Sequence, residues 1–510
     1  MNIDTLLSTH SGYGAHVKQT DFFYRSYVGG DLYRRGEYLV KYLGESNTPG
    51  DAYGKRLAAT PLDNHVKTTV DIYSSFVFRN LPKRTFGNLM TNQNVIGFTK
   101  DVDNNGQSMD SFMKTLNDMA LVTGNAWVLV DKASYAVTTQ AEEEALGIRA
   151  YACAYAPQNV LDWNYKRNIN GKHELVYIKV IEHDGRDHTL LTEWDTNHII
   201  KYRLDKDVDT GEHTGVEVMA EFVNPLGKVP FINYAPMPSP TPGIGISLVN
   251  DVAYAQKYIY NLLSELEQNI RISGHPSLVK TPSTRASAGA GAVIEVQEDM
   301  EPGLKPYLLQ PSGSSIDGIL DAIDKVVESI TRMTHTSAVQ AVRGSPMSGV
   351  ALATERALLN TKLTDISHHL QETEYKIWSL FYQWMALDSP EGFFIEYADS
   401  FDVKDEHSTL ELYSKSLRTV SDPVFSKEVS KMVAELLITD EVTLTQIKNS
   451  IDADPEEEEV MTELQHEVTT SENRADHIRE MLEQNMGDIE ILNLHPEISQ
   501  EDINRARNSV

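Results

Sequence analysis

Ser314-Ser315-Ile316-Asp317-Gly318-Ile319-Leu320-Asp321-Ala322-Ile323-Asp324-Lys325-Val326-Val327-Glu328-Ser329-Ile330-Thr331-Arg332-Met333 decides how the chain is read. Asp317, Asp321, Asp324 and Glu328 stand at offsets 0, 4, 7 and 11. At about 100° per residue these carboxylates share one narrow helical face. Ile316, Ile319, Leu320, Ile323, Val326, Val327 and Ile330 occupy the roughly opposite face. A helix with one dry side and one like-charged side suits a wall better than an enzyme core. Alone, such a stripe reads first as a solvated helix face. The density of acids argues for more, because like charges at this spacing cost a lone helix a few tenths of a kcal/mol per pair. Lys325 and Arg332, on the flank, relieve this only partly.

The surroundings of this helix run from Ile246 to Leu387. Pro236, Pro238, Pro240 and Pro242 forbid a helix or central strand. Gly243-Ile244-Gly245-Ile246-Ser247 then delivers the chain into a helix striped by Leu248, Val252, Ala255, Ile259, Leu262, Leu263, Leu266 and Ile270. Gly274 and Pro276 stop it after roughly 39 Å. The insert 274–313 carries Ala286-Ser287-Ala288-Gly289-Ala290-Gly291-Ala292 and the strand-like Val293-Ile294-Glu295-Val296. It has little to bury alone and reads as a small tip that pairs with other chains. The acid-striped helix returns from the tip. After a loop with Gly344, Pro346 and Gly349, Val350 to Leu387 form a helix of roughly 57 Å, closed by Pro390 and Gly392.

Upstream, the first 98 or so residues are mostly helical by pattern, with a helix started after Pro61-Leu62-Asp63-Asn64 and stopped near Pro82. Phe22, Phe23, Tyr24, Arg25, Tyr27, Tyr33, Arg34, Arg35 and Tyr38 interleave aromatics with cations, as single-strand nucleic-acid platforms do. Aromatic packing around arginine stems is the favoured reading. Ser108 to Leu121 is helical, Gly124 ends it, and Ala126 to Val130 is a strand. A β-rich region follows, with strands expected at 151–155, 174–181, 188–194, 198–202 and 215–223. Asn170-Gly171 and Asp184-Gly185 are turns within it. Beyond Phe393 to Tyr397, another strand, the chain is helical, with Val424, Val429, Met432, Leu436 and Leu437 periodic. Glu456 to Glu459 read as the exposed start of a helix. The fold class is α+β.

The 510 residues carry a formal charge of −29, and residues 391–510 hold 29 acidic and 10 basic residues. A chain this acidic does not condense on nucleic acid by counterion release. If DNA is its partner, the relation is passage without sticking. No apolar run reaches the ~20 residues of a membrane span, and Met1-Asn2-Ile3-Asp4 does not open a signal peptide. The single cysteine, Cys153, fits a reducing compartment of synthesis and alternates like a buried strand residue.

Catalytic signatures are mostly missing. Gly50-Asp51-Ala52-Tyr53-Gly54-Lys55-Arg56 has three residues between its glycines and Arg where a P-loop needs Ser or Thr. Asp101 to Gly106 resembles half an EF-hand loop, but position twelve is Phe112. Gly243-x-Gly245 lacks a third glycine and follows prolines, so a dinucleotide fingerprint is rejected. His183, Asp187 and His188 flank a hairpin turn; a metal-dependent hydrolase built on them is the enzymatic alternative. The expectation is no enzyme, no cofactor and no metal.

Taken in order, these parts resemble a tailed-bacteriophage portal, or head–tail connector, protein over residues 20–390 or so. The resemblance rests on Gly243-Ile244-Gly245-Ile246-Ser247-Leu248 before a helix ending at Gly274-His275-Pro276-Ser277-Leu278-Val279. It also rests on the short insert, on Ser348-Gly349-Val350-Ala351-Leu352 opening the long helix, and on Thr123 to Asp131. It implies a ring, usually of about twelve copies, at one capsid vertex. Residues 1–247 and 350–400 would form the wing, 248–273 and 314–333 the two-helix stem, 274–313 the clip, and 401–510 a helical crown. Residues 334–349, with Arg343, Gly344, Ser345, Pro346 and Gly349, would be the tunnel loop. Double-stranded DNA would pass through the bore without sequence specificity. The packaging terminase large subunit, then a head–tail adaptor or tail protein, would dock on the clip; major capsid protein and scaffolding protein are further implied partners. The protein would be made in the host cytoplasm and reside in the virion. Another phage structural protein, a minor head protein or head–tail adaptor, is the alternative.

Overall fold

The computed structural model describes residues 2–46, 51–133, 140–274, 277–282, 299, 301–309, 314–337, 339, 349–401, 406–420, 422–438 and 441–452. It divides into two compact units, 1–402 and 403–510. The first unit opens with α1 (Ile3–Leu6), α2 (Tyr13–Val28), α3 (Gly30–Arg34), α4 (Ala52–Ala59) and α5 (His65–Val77). Then come β1 (Lys83–Phe86), α6 (Gln93–Lys100), α7 (Met109–Thr123), β2 (Ala126–Lys132) and α8 (Gln140–Ala145). Seven strands follow: β3 (Ala150–Tyr155), β4 (Val160–Arg167), β5 (His173–Asp184), β6 (His188–Asp195), β7 (His198–Lys206), β8 (His213–Val223) and β9 (Phe231–Tyr234). The unit continues through α9 (Asn250–Gly274), β10 (Ser277–Val279), β11 (Tyr307–Leu309), α10 (Ser314–Met333), α11 (Gly349–Trp384) and β12 (Phe393–Glu396). The second unit contains α12 (Glu406–Thr419), α13 (Pro423–Leu437) and α14 (Glu441–Asp452).

The helices and strands expected within the described residues are present, and five strands do not follow from the sequence pattern: β1, β4, β9 and the three-residue β10 and β11. β1 and β12 pair only with each other, β4 is an edge of the large sheet, and β9 is four residues long. Short edge strands have no periodic run to betray them. The large sheet is an antiparallel meander, β4-β5-β6-β7-β8, and the smaller one has the order β3-β2-β9. β2 is buried on both faces, which explains the unbroken apolar run from Ala126 to Val130. Trp127 and Leu129 pack with Trp163, Ile178, Val180 and Trp194 of the large sheet. Ala126, Val128 and Val130 face the helical core instead.

That core is organised along α11, where Leu359, Leu363, Ile366, Leu370, Ile377 and Phe381 recur at intervals of three, four or seven residues and are all buried. At its centre Glu374 is fully buried against Arg84 of β1, which also reaches Asp110 of α7 at 2.6 Å. Tyr397 and Trp378 donate hydrogen bonds to the same carboxylate. Burial opposes the Arg84 charge, but Glu374 and Asp110 outweigh it, and the guanidinium pKa is raised. The aromatics of α2 and its surroundings pack rather than present a platform: Phe23 and Tyr33 are buried, Tyr33 meets Tyr38 at a tilt and Tyr260 edge to face, and Arg25 pairs with Asp21.

In the second unit Val429 and Ala434 are buried, whereas Val424, Met432 and Leu437 are exposed. The periodic apolar residues of that region therefore cover more than one face. The Glu456–Glu459 run lies outside the described residues.

Candidate functional site

The apolar face of α10 is built as its sequence demands. Ile330 is buried, and Ile323, Val326 and Val327 pack half-buried against the main core, where α10 lies along α9. Leu320 is the departure: it is 44 % exposed at the margin of the stripe. Asp317, Asp321, Asp324 and Glu328 are all exposed, on one side. Among the described residues the only ion pair of the stripe joins Lys325 to Glu328, at 3.1 Å, with both side chains mostly in solvent. Three neighbouring like-charge pairs cost about 1 kcal/mol in total. Burying Ile330 alone offsets that, so packing, not local preference, holds this helix.

The chain is fastened to the rest of the first unit where it enters α9 and where it leaves α10. The connection into α9 passes so close to the end of α7 that a Cβ on Gly245 would lie 2.0 Å from the Gly124 carbonyl oxygen. A Cβ on Gly124 would in turn meet the Gly245 carbonyl at 2.6 Å, and Gly124 sits at φ +95°. The pair rejected as a dinucleotide fingerprint thus has a packing cause: Gly243, at φ +85°, abuts Trp163, whose indole N–H donates to Pro242. Asn125 donates to Gly243 O and Asn233, and accepts from His16. Burial lowers the His16 pKa, against the opposing bond to Asn125. Ser247 Oγ donates to Val122 O, and Leu248 N to Leu121 O. The segments 123–131 and 243–248 are therefore one structural joint.

Along α9, polar side chains do the fastening that apolar periodicity did not reveal. Gln256 is buried, accepting from Val66 N and donating to Ser26 O. Arg56 bonds both carboxylate oxygens of Glu45 and the hydroxyl of Ser264, under the ring of Tyr42. Tyr42 donates to Glu265 at 2.6 Å. Arg56, which occupies the hydroxyl position of the failed P-loop, is thus a structural residue, and Asp51 caps α4. At the far end of α10, Thr336 N bonds Thr331 O around His335 at φ +53°, and Tyr73 of α5 donates to Thr334 O.

Between α9 and α10, β10 and β11 form an antiparallel pair, Ser277↔Leu309 to Val279↔Tyr307. This is the base of the expected tip. The Ala286–Ala292 and Val293–Val296 runs lie outside the described residues, as do Arg343, Gly344, Ser345 and Pro346. Gly349 is the first residue of α11.

The catalytic candidates are not assembled. His188 Nδ1 lies 3.0 Å from Asp187, its ring 5.6 Å from that of His183, while Asp184 is engaged by Lys206 and Thr189. Among the described residues no three potential ligands converge on a metal position. In the EF-hand-like turn, Asp101 is taken by Arg149 and Gly106 N, Asp103 by Asn105 N and Gln107 N, and Phe112 is buried. Cys153 is half-buried; desolvation, with Glu182 and Asp131 near, pushes its thiol up to about 11, the opposite of an activated nucleophile. No described helix is long and apolar enough to cross a membrane.

No family model and no curated protein matches the chain. Among solved structures it is similar to a chain in the neck of an empty gene transfer agent particle, reconstructed with C6 symmetry. That match is 10 % identical with a TM-score of 0.42, over 75 % of this chain and 94 % of the other. A chain in the virion of the native gene transfer agent particle matches at 9 % identity and a TM-score of 0.41, over 75 % and 93 %.

Proposed function

We propose that this protein is a phage portal subunit, one of a ring that forms an axial channel for double-stranded DNA at a capsid vertex. The observation that carries the reading is the helix–tip–helix cassette, α9, β10–β11 and α10, with a solvent-exposed row of four carboxylates on α10. In a ring of about a dozen copies, roughly four dozen carboxylates would face one bore. They would repel phosphates within a Debye length, ~8 Å at physiological salt, so the duplex slides without adhering. In this reading the protein is not an enzyme, and force comes from a separate motor, the terminase large subunit, docked on the tip. A head–tail adaptor or tail protein replaces the motor after filling, and capsid and scaffolding proteins surround the ring. Arg343, Gly344, Ser345, Pro346 and Gly349 would border the bore as a tunnel loop.

Replacing Asp317, Asp321, Asp324 and Glu328 by Lys tests the role of the stripe. Rings should still assemble, while DNA packaging or retention falls at least ten-fold. Unchanged packaging would reduce the carboxylates to an ordinary solvated face. Negative-stain images showing only monomers or open filaments would favour an adaptor or other structural role instead.

A further inference from the structure

Among the described residues His16 of α2 is the only ionisable side chain bonded to Asn125, the residue at the centre of the joint. The Asn125 amide nitrogen is already committed, donating to Asn233 Oδ1 at 2.8 Å and to Gly243 O at 3.0 Å. Its Oδ1 is left for His16, 3.0 Å away, so the histidine has to donate from Nε2. Asn125 has no solvent contact, and water cannot replace a bond lost there. Gly243, held in this way, leads two residues later to the backbone contact between Gly245 and Gly124. One histidine thus keys α2 to the point where the chain turns into α9.

The surroundings of His16 favour its neutral form. Its neighbours on α2 at three and four residues are Gly12, Tyr13, Gln19 and Thr20, none of them charged. Across the joint it faces Asn125, with Asn233 of β9 and the Gly243 backbone behind. The Tyr13 hydroxyl is spent on Gln158 O, and His10 lies stacked on Trp163. From α5, α7 and α9, which also pack on α2, no charged group among the described residues acts on the ring. Burial lowers the His16 pKa and outweighs the bond to Asn125. The closed joint therefore holds this proton less tightly than an opened one. The stability His16 contributes is complete above the unperturbed value of about 6.5 and is lost as pH falls through the folded value.

We propose that His16 makes this joint an acid-sensitive latch: the neutral imidazole seats Asn125 and Gly243, and the imidazolium releases the entry to α9. Acid then loosens the attachment of the α9–α10 pair before the rest of the first unit unfolds. The inference stands on the joint alone and does not require the ring reading.

Hydrogen exchange of the full-length protein, read by mass spectrometry over peptides covering 121–125 and 243–250, tests it. With intrinsic rates normalised against the unfolded chain, local opening should rise about three- to ten-fold from about pH 8 to about pH 5. Peptides from the α11 core, 363–381, should not follow. His16→Gln keeps an N–H donor for Asn125 and cannot titrate, so its joint should be equally protected at both pH values. Opening that is flat with pH in wild type, or that keeps its full pH dependence in His16→Gln, would overturn the latch. Dependence that survives in His16→Gln and vanishes in His10→Gln would move the titration to His10 and overturn it equally.

Discussion

At the residue scale, the most consequential group in the first unit is Glu374, with no solvent contact and both oxygens engaged by Arg84. Breaking one side of a buried pair leaves the other charge uncompensated. Glu374→Gln or Arg84→Met is expected to destabilise by about 3–5 kcal/mol, read as a lower denaturant midpoint. Lys179 offers the reverse case. It is buried with its ammonium donating to Thr5 O and Ser8 Oγ, and burial, against the opposing charges of Glu193 and Asp162, lowers its pKa. The folded state therefore holds this proton less tightly than the unfolded chain does. Wild type should gain stability as pH rises through the folded pKa toward the unfolded value of about 10.4. Lys179→Met should remove that slope in pH-dependent unfolding. The thiol of Cys153, raised to about 11, should react with a thiol reagent in native protein far more slowly than in urea at pH 8. Arg84 and Glu374 are 290 positions apart, so no local pattern could pair them. Cys153 lies in a strand as its alternation suggested, but it is half-buried; the fully covered positions beside it are Ala150 and Ala152.

At the element scale, the α9–α10 pair was readable from apolar periodicity and from the Gly and Pro that bound it. The joint that holds it was not, because backbone contact between Gly124 and Gly245 leaves no side-chain signature. Gly245→Ala must displace that backbone and is expected to cost roughly 2–4 kcal/mol. Gly318→Ala is the matched control. Its Cβ meets nothing within 4 Å on the exposed face of α10, so helix propensity alone should stabilise by about 1 kcal/mol. Thermal unfolding of the two variants distinguishes a locked joint from general glycine intolerance. β1, β4, β9, β10 and β11 were missed because four are only three or four residues long and the fifth, β4, is an edge. The acid stripe was legible in its spacing, and the structure adds that Leu320 flanks it in solvent.

At the scale of the whole molecule, the portal reading turns the charge of −29 from an obstacle to DNA contact into a way of keeping DNA moving. The hydrolase alternative makes its own prediction here: a chelator should lower the melting temperature if His183, Asp187 and His188 hold a metal. With no three ligands converging among the described residues, the expected melting temperature in chelator is unchanged. The central claim is that copies of this chain close a ring with the α10 carboxylates toward its axis. Electron cryo-microscopy of the purified full-length protein tests it most directly. The account predicts a closed ring of about a dozen copies with Asp317, Asp321, Asp324 and Glu328 lining the central channel. Monomers, open filaments, or a ring whose stripe faces outward would contradict it.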